Sequence, residues 1–178
     1  TWPWAASPRN SGWPWPHSST SRSDGIRGDY PPYEQWLIEA ELALLGLEDC
    51  KVECDGMTWV ISHLMTKFKI PHQCFNGYVK YEQRDKYLAP HYWIQLPLGY
   101  ICDFRLRMWF GDEDHIPHGM FQPKDAPGFF YKGSPCSPYT LTDSLAQVLT
   151  DGAIDFVELP RPPGLQVSHA KKISQVQT

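Results

Sequence analysis

Residues 54–71 read Cys-Asp-Gly-Met-Thr-Trp-Val-Ile-Ser-His-Leu-Met-Thr-Lys-Phe-Lys-Ile-Pro, and residues 91–104 read His-Tyr-Trp-Ile-Gln-Leu-Pro-Leu-Gly-Tyr-Ile-Cys-Asp-Phe. In the first stretch Met57, Val60, Ile61, Leu64, Met65 and Phe68 recur three or four apart, which predicts a helix with one buried face and Cys54 at its N-terminus. Pro71 disfavours a helical predecessor and so predicts a stop near Lys69-Ile70. From Gln73 the period changes: Cys74-Phe75-Asn76-Gly77-Tyr78-Val79-Lys80-Tyr81 is rich in strand formers. The second stretch reads as two strands, 91–96 and 100–104, joined by a Pro97-Leu98-Gly99 turn. Such a hairpin places His91 and Asp103 side by side. The expected fold class is therefore α+β, with helices at the front carrying a thiol and an antiparallel sheet carrying an imidazole and a carboxylate.

Those three groups suit one chemistry. A thiol becomes a thiolate near neutral pH when an imidazole stands beside it, and a carboxylate fixes the imidazole's tautomer. A helix start favours the anion and offers unpaired N–H groups to an oxyanion. Cys54, His91 and Asp103 are thus the candidate nucleophile, base and orienter. Each has an ordinary alternative: a small buried residue, a strand-edge histidine, and a turn or cap. Strand alternation puts Trp93 on the face of His91 and Tyr92 on the other, so Trp93 is the expected wall of the site.

The order Cys54, helix, Lys69-Ile70-Pro71, Asn76-Gly77-Tyr78-Val79, His91-Tyr92-Trp93, Asp103 resembles the core of the transglutaminase-like branch of papain-fold cysteine enzymes. The resemblance covers residues 54–103. It implies a papain/transglutaminase-like core with Cys54 as nucleophile, His91 as base and Asp103 as orienter. Where the family often carries Gly shortly before its Cys, this chain has Val52-Glu53, and no upstream oxyanion side chain stands out. The expected function is a cysteine hydrolase of protein amide bonds acting through a thioester, as protease or glutamine deamidase. Transglutaminase or arylamine N-acetyltransferase-like acyl transfer is the alternative, and a non-catalytic protein-binding module of the same fold a third. The chemistry calls for no cofactor and no metal, and its partner is a protein or peptide substrate.

The flanks read differently. Residues 1–32 hold Trp13-Pro14-Trp15-Pro16, a Ser/Thr run and Pro31-Pro32, without helical or strand period, and read as a flexible leader or as tryptophans that dock on a protein partner. Truncation to residue 28 is expected to leave the core folded. Trp36, Leu37, Ala40 and Leu44 predict a helix from Tyr33, stopped at Gly46. After Asp103, residues 122–138 carry so many Pro and Gly that Phe129-Phe130-Tyr131 are expected on a loop; Trp109, Phe129 and Phe130 join Trp93 as candidate substrate-binding residues. A helix is expected over 140–149, capped by Thr140 or Thr142, with Leu141, Leu145, Val148 and Leu149 on one side. Ile154–Leu159 reads as a final strand. The domains are then a 1–32 leader, a 33–160 catalytic domain and a 161–178 tail.

Composition narrows the classes. A net charge of −4 gives no reason to expect nucleic acid, and no apolar run reaches the roughly 18 residues of a membrane span. Five cysteines at irregular spacing fit free thiols in a cytoplasmic or other reducing compartment, or a protein delivered there as an effector. No signal-peptide pattern opens the chain, and the absence of an initiating Met reads as a processed or engineered fragment. Two metal readings compete weakly: Cys50 with His63, His72 or Cys74, and the Asp112–His118 run. Neither has the paired spacing of a zinc site.

Overall fold

Two helices open the described part of the chain because two stretches repeat apolar residues at helical spacing. The computed structural model describes residues 31–163; all but the last two residues of the leader expected over 1–32, its tryptophans and most of the expected tail lie outside them. Helix α1 spans Pro31–Leu44 and helix α2 spans Cys54–Lys67. The helix expected from Tyr33 thus begins at Pro31, where a fixed φ and a missing N–H cost nothing in a first turn, and Pro31-Pro32 belong to α1 rather than to the leader. Trp36, Leu37, Ala40 and Leu44 of α1 are buried, and a 3-10 turn, Leu45–Leu47, carries the chain past Gly46. Helix α2 buries Met57, Val60, Ile61, Leu64 and Met65, each no more than 2% exposed, as the three-and-four spacing requires. Each contributes about 1.5–3 kcal/mol by leaving water. The helix ends before Pro71: Lys69 turns left-handed (φ 57°) and the Ile70 N–H reaches back to the Met65 carbonyl at 2.7 Å.

Five strands form one antiparallel sheet: β1 Gln73–Tyr81, β2 Lys86–Gln95, β3 Ile101–Asp103, β4 Gly119–Phe121 and β5 Phe129–Cys136, in the order β4-β3-β2-β1-β5. The chain also forms helix α3, Leu106–Phe110, between β3 and β4, and helix α4, Asp143–Leu149, after β5. The two faces of the sheet have separate cores. Cys74, Ile94 and Cys102 pack with α1 and α2, whereas Val79, Tyr81 and Phe129 pack with Leu106, Phe110 and Ile116. The hairpin of β2 and β3 is present but short: Ile94 pairs with Cys102 and Gln95 with Ile101. Its connection is the 3-10 turn Pro97–Gly99, with Leu98 at φ 61°. β1 and β5 approach closely at Gly77, which is paired with Gly133; a Cβ on Gly77 would collide with the Lys132 carbonyl, so the glycine of the Asn76-Gly77-Tyr78 stretch is required by packing.

The C-terminal third departs from the expectations. The aromatic loop expected over 122–138 is a 3-10 turn at Pro123–Asp125 followed by β5, whose edge position tolerates Pro135. The final strand expected over 154–159 is a 3-10 turn at Ala153–Phe156 and an irregular segment, with Phe156 90% exposed while Ile154, Val157 and Leu159 are buried. Alternation would have put Phe156 beside Ile154; a turn puts Val157 there instead. Of the two caps considered, Thr142 is the one used, its Oγ1 accepting the Leu145 N–H at 3.2 Å. The buried side of α4 is Ala146, with Leu141 before it and Thr150 after it, whereas Leu145 and Val148 face solvent. The Trp36 indole N–H donates to the Pro160 carbonyl at 2.8 Å, tying the last described segment to α1. Among the described residues, no helix is long and apolar enough to cross a membrane.

Candidate active site

Cys54, His91 and Asp103 come from three elements. Cys54 is the first residue of α2, His91 lies in β2 and Asp103 ends β3. All three are buried, at 7%, 0% and 3% exposure. Register explains the last two. Ile94 opposite Cys102 sets Asp103 across from Trp93, and the carboxylate reaches along the strand to His91. An extra residue in β2, where Gly77 pairs with His91 but Val79 pairs with Leu88, re-aims the strand just before the imidazole. Because β3 pairs only with Ile94 and Gln95, it leaves the His91 part of that edge of β2 uncovered. The indole of Trp59 on α2 meets Tyr92 edge-on at 6.3 Å, fixing the helix against the strand beside His91.

The imidazole's two nitrogens have different tasks. His91 Nε2 lies 2.6 Å from Asp103 Oδ2, a charge-assisted contact that assigns the proton to Nε2. Nδ1 is buried and makes no hydrogen bond among the described residues. Its orphan state is what a base needs, and Cys54 is close enough to act on the imidazole's ionisation. Burial by itself would lower the pKa of His91. The charge and hydrogen bond of Asp103 reverse that, Cys54 adds to them, and the imidazole is carried from 6.5 up to about 9. Asp103 moves the opposite way: burial opposes its ionisation, but His91, the Arg105 N–H and the Tyr131 hydroxyl hold it below the usual carboxylate range.

Asp103 is itself held. Its Oδ1 accepts the Arg105 backbone N–H at 2.9 Å, and its Oδ2 accepts the Tyr131 hydroxyl at 2.8 Å. Burial and the neighbouring carboxylate push Tyr131 well above its ordinary value, so it stays a donor. The sequence marks Tyr131 only as part of an aromatic run expected on a loop, and it gives Arg105 no role. Tyr131 was hidden by the surrounding Pro and Gly. Arg105, a charge between Phe104 and Leu106 in an apolar run, carried a signal that could have been read.

At the helix start, the Gly56 N–H is taken by the Asp55 carboxylate at 2.7 Å and the Met57 N–H by the Glu53 carbonyl at 2.9 Å. The N–H groups of Cys54 and Asp55 have no partner among the described residues. Two free donors beside a thiol can hold an oxyanion.

The four candidate substrate-binding residues separate. Trp93 is buried and stacks on Phe75 at 5.8 Å and on His91 at 6.2 Å, with Tyr131 edge-on at 5.2 Å, so it covers the imidazole as alternation predicted. Phe129 is core: its ring stacks on Tyr81 at 4.4 Å and is buried. Phe130, on the other face of β5, is exposed. Trp93, Phe129, Phe130 and Tyr131 line a cavity of about 300 Å³, which neither Cys54 nor His91 touches. Trp109 is half exposed on α3 and takes no part in these aromatic contacts. A larger cleft of about 780 Å³, lined by Tyr81, Arg84, Arg107, His115, His118 and Phe121, contains none of the three candidate catalytic residues.

The groups weighed as metal ligands have other partners. His72 donates from Nδ1 to the Ile70 carbonyl and accepts from the Ser62 hydroxyl, each at 2.8 Å; His63 meets Asp143 at 2.9 Å; His115 meets the Tyr81 hydroxyl at 2.7 Å. His118 Nε2 lies 3.1 Å from Glu48 Oε1, out of line for a hydrogen bond. No group of three or more His, Cys, Asp or Glu side chains that could hold an ion occurs among the described residues.

No family model, curated protein or solved structure gives a significant match to this chain.

Proposed function

We propose that the protein is a cysteine-dependent hydrolase of protein amide bonds, with Cys54 as nucleophile, His91 as base and Asp103 as orienter, on a core of transglutaminase-like type. The observation that carries the reading is the division of labour on His91: Nε2 is bonded to a buried carboxylate, Nδ1 is buried without a partner among the described residues, and Cys54, at a helix start, acts on the imidazole's ionisation. His118 also leaves its ring nitrogens without a hydrogen bond among the described residues, but no aligned carboxylate holds one of them and no thiol acts on its ionisation, as both do for His91.

In the reaction the Cys54 proton is carried on His91 Nδ1, as the imidazole's raised affinity for protons favours, and the thiolate attacks the amide carbonyl carbon. The C–S bond forms, and the Cys54 and Asp55 N–H groups hold the oxyanion. The Nδ1 proton then passes to the nitrogen as the C–N bond breaks, leaving a thioester and a free amine. Water, deprotonated by Nδ1, attacks the thioester and restores the thiol with release of the acid. Asp103 keeps the proton on Nε2 throughout and stabilises the imidazolium.

Acyl transfer to an amine is a second reading, favoured by the burial of the site. A thioester that water reaches poorly survives long enough to meet another nucleophile. Incubation with candidate proteins, with and without a primary amine, read by intact mass, decides among the outcomes: fragments indicate a protease, a gain of about one dalton a deamidase, and an added amine a transferase. Turnover that persists in Cys54→Ala would end the whole reading.

A further inference from the structure

Arg105 is a charge where charge is ordinarily excluded. It lies between the buried Phe104 and Leu106 and is itself 6% exposed. None of the guanidinium's bonds is to a carboxylate. The guanidinium donates Nε–H to the Val52 carbonyl at 2.9 Å, Nη1–H to the Glu48 carbonyl at 2.9 Å and Nη2–H to the Cys50 carbonyl at 2.7 Å. Those carbonyls belong to the irregular segment that runs from the 45–47 turn into Cys54. That segment's own backbone bonds are short-range, Cys50 N–H to Leu47 and Val52 N–H to Cys50, and none of these ties it to the sheet. At the same time the Arg105 backbone N–H holds Asp103 Oδ1 at 2.9 Å.

One residue thus grips both sides of the site. Its backbone fixes the carboxylate that orients His91, and its side chain fixes the run of chain that delivers the thiol. A planar fork with five donors in fixed directions matches three carbonyls in a way a lysine's point charge does not. Burying a guanidinium among carbonyls is a poor route to stability, since an apolar residue would avoid the desolvation, so the arrangement is better explained by the geometry it imposes.

We infer that Arg105 is a positioning residue that sets Cys54 against the His91–Asp103 pair by clamping residues 48–52 to the end of β3. The inference rests on the triad reading above. Its effect is on where the thiol sits, and a misplacement of about 1 Å at such a site costs on the order of a hundredfold in rate.

The test uses the full chain as wild type, Arg105→Ala and Arg105→Lys, at a temperature where circular dichroism shows each folded. The rate of alkylation by iodoacetamide is read at Cys54 and, as an internal control, at Cys136, by peptide mass, with and without methylguanidine. Arg105→Ala should slow Cys54 by at least about tenfold with Cys136 unchanged, Arg105→Lys should fall between, and methylguanidine should restore several-fold in Arg105→Ala and nothing in wild type. A folded Arg105→Ala protein whose Cys54 reacts at the wild-type rate overturns the inference and leaves the triad standing. A slowing that neither lysine nor methylguanidine relieves also overturns it, since it would show general damage. Should Arg105→Ala not fold, Arg105→Lys decides alone: a wild-type rate at Cys54 overturns the clamp, and a selective slowing supports it. If wild-type Cys54 reacts no faster than Cys136, the triad itself fails and the inference falls with it.

Discussion

The sheet's middle and the start of α2 both hold buried thiols, and they differ in what surrounds them. Cys74 and Cys102 lie on the helix-covered face of the sheet, 1% and 2% exposed among apolar neighbours. Burial pushes Cys74 up to about 11 and Cys102 well above its ordinary value, which leaves both as small, inert core residues. Cys54 is 7% exposed, hardly less buried, yet it meets an imidazole with a free nitrogen and two unpartnered N–H groups. Burial alone makes a thiol unreactive; a base and a helix start make it a nucleophile. The same contrast holds for two histidines. Burial lowers the pKa of His118, whereas for His91 an aligned carboxylate outweighs it.

The largest difference between the two places should appear when one thiol is removed from each. Cys54→Ala should abolish turnover while moving the melting temperature by no more than a few degrees, because a thiol at a helix start fills little core. Cys102→Ala should do the reverse, keeping turnover and lowering stability. Next comes Asp103→Asn, which keeps the shape but not the tautomer and should slow the reaction by about 10⁴-fold in steady-state assays if the logic of the serine proteases carries over. A loss below tenfold would mean that Asp103 only packs.

A third measurement is the pH dependence of stability. The folded pKa of His91, about 9, lies above its ordinary 6.5, so what the ion pair adds to stability is complete below 6.5 and is lost as pH rises through 9. The melting temperature should fall across that window, and the fall should shrink in Asp103→Asn, where the partner charge is gone. Equal slopes in the two proteins would show that His91 is not held charged. The smallest effect is expected from Tyr131→Phe, which removes one hydrogen bond to a charged oxygen, worth about 1.5–3 kcal/mol by chemical denaturation.

What could be read in the sequence follows from how local its cause is. The helix behind Cys54 rests on a spacing of three and four, and β1 on a run of strand formers, so both are visible residue by residue. The meeting of His91 and Asp103 was legible because strand alternation and a short turn fix which side chains of β2 and β3 share a face. β5 was not, because Pro127, Gly128, Gly133 and Pro135 argue for a loop and only the pairing with β1, where Gly77 meets Gly133, makes a strand of it. With β5 went Tyr131. The expected strand over 154–159 failed for the opposite reason: its alternation is real in composition, but the segment pairs with no strand among the described residues and turns instead. Arg105 needed knowledge of which distant carbonyls lay unpaired, which no local pattern supplies.

The most direct test of the central claim is site-resolved alkylation of the native wild-type protein across a range of pH. Iodoacetamide should modify Cys54 well below pH 8, faster than Cys50, Cys74, Cys102 or Cys136, and His91→Ala should erase that preference. A Cys54 that reacts no faster than the half-buried Cys136, or whose rate is unchanged without His91, would contradict the account.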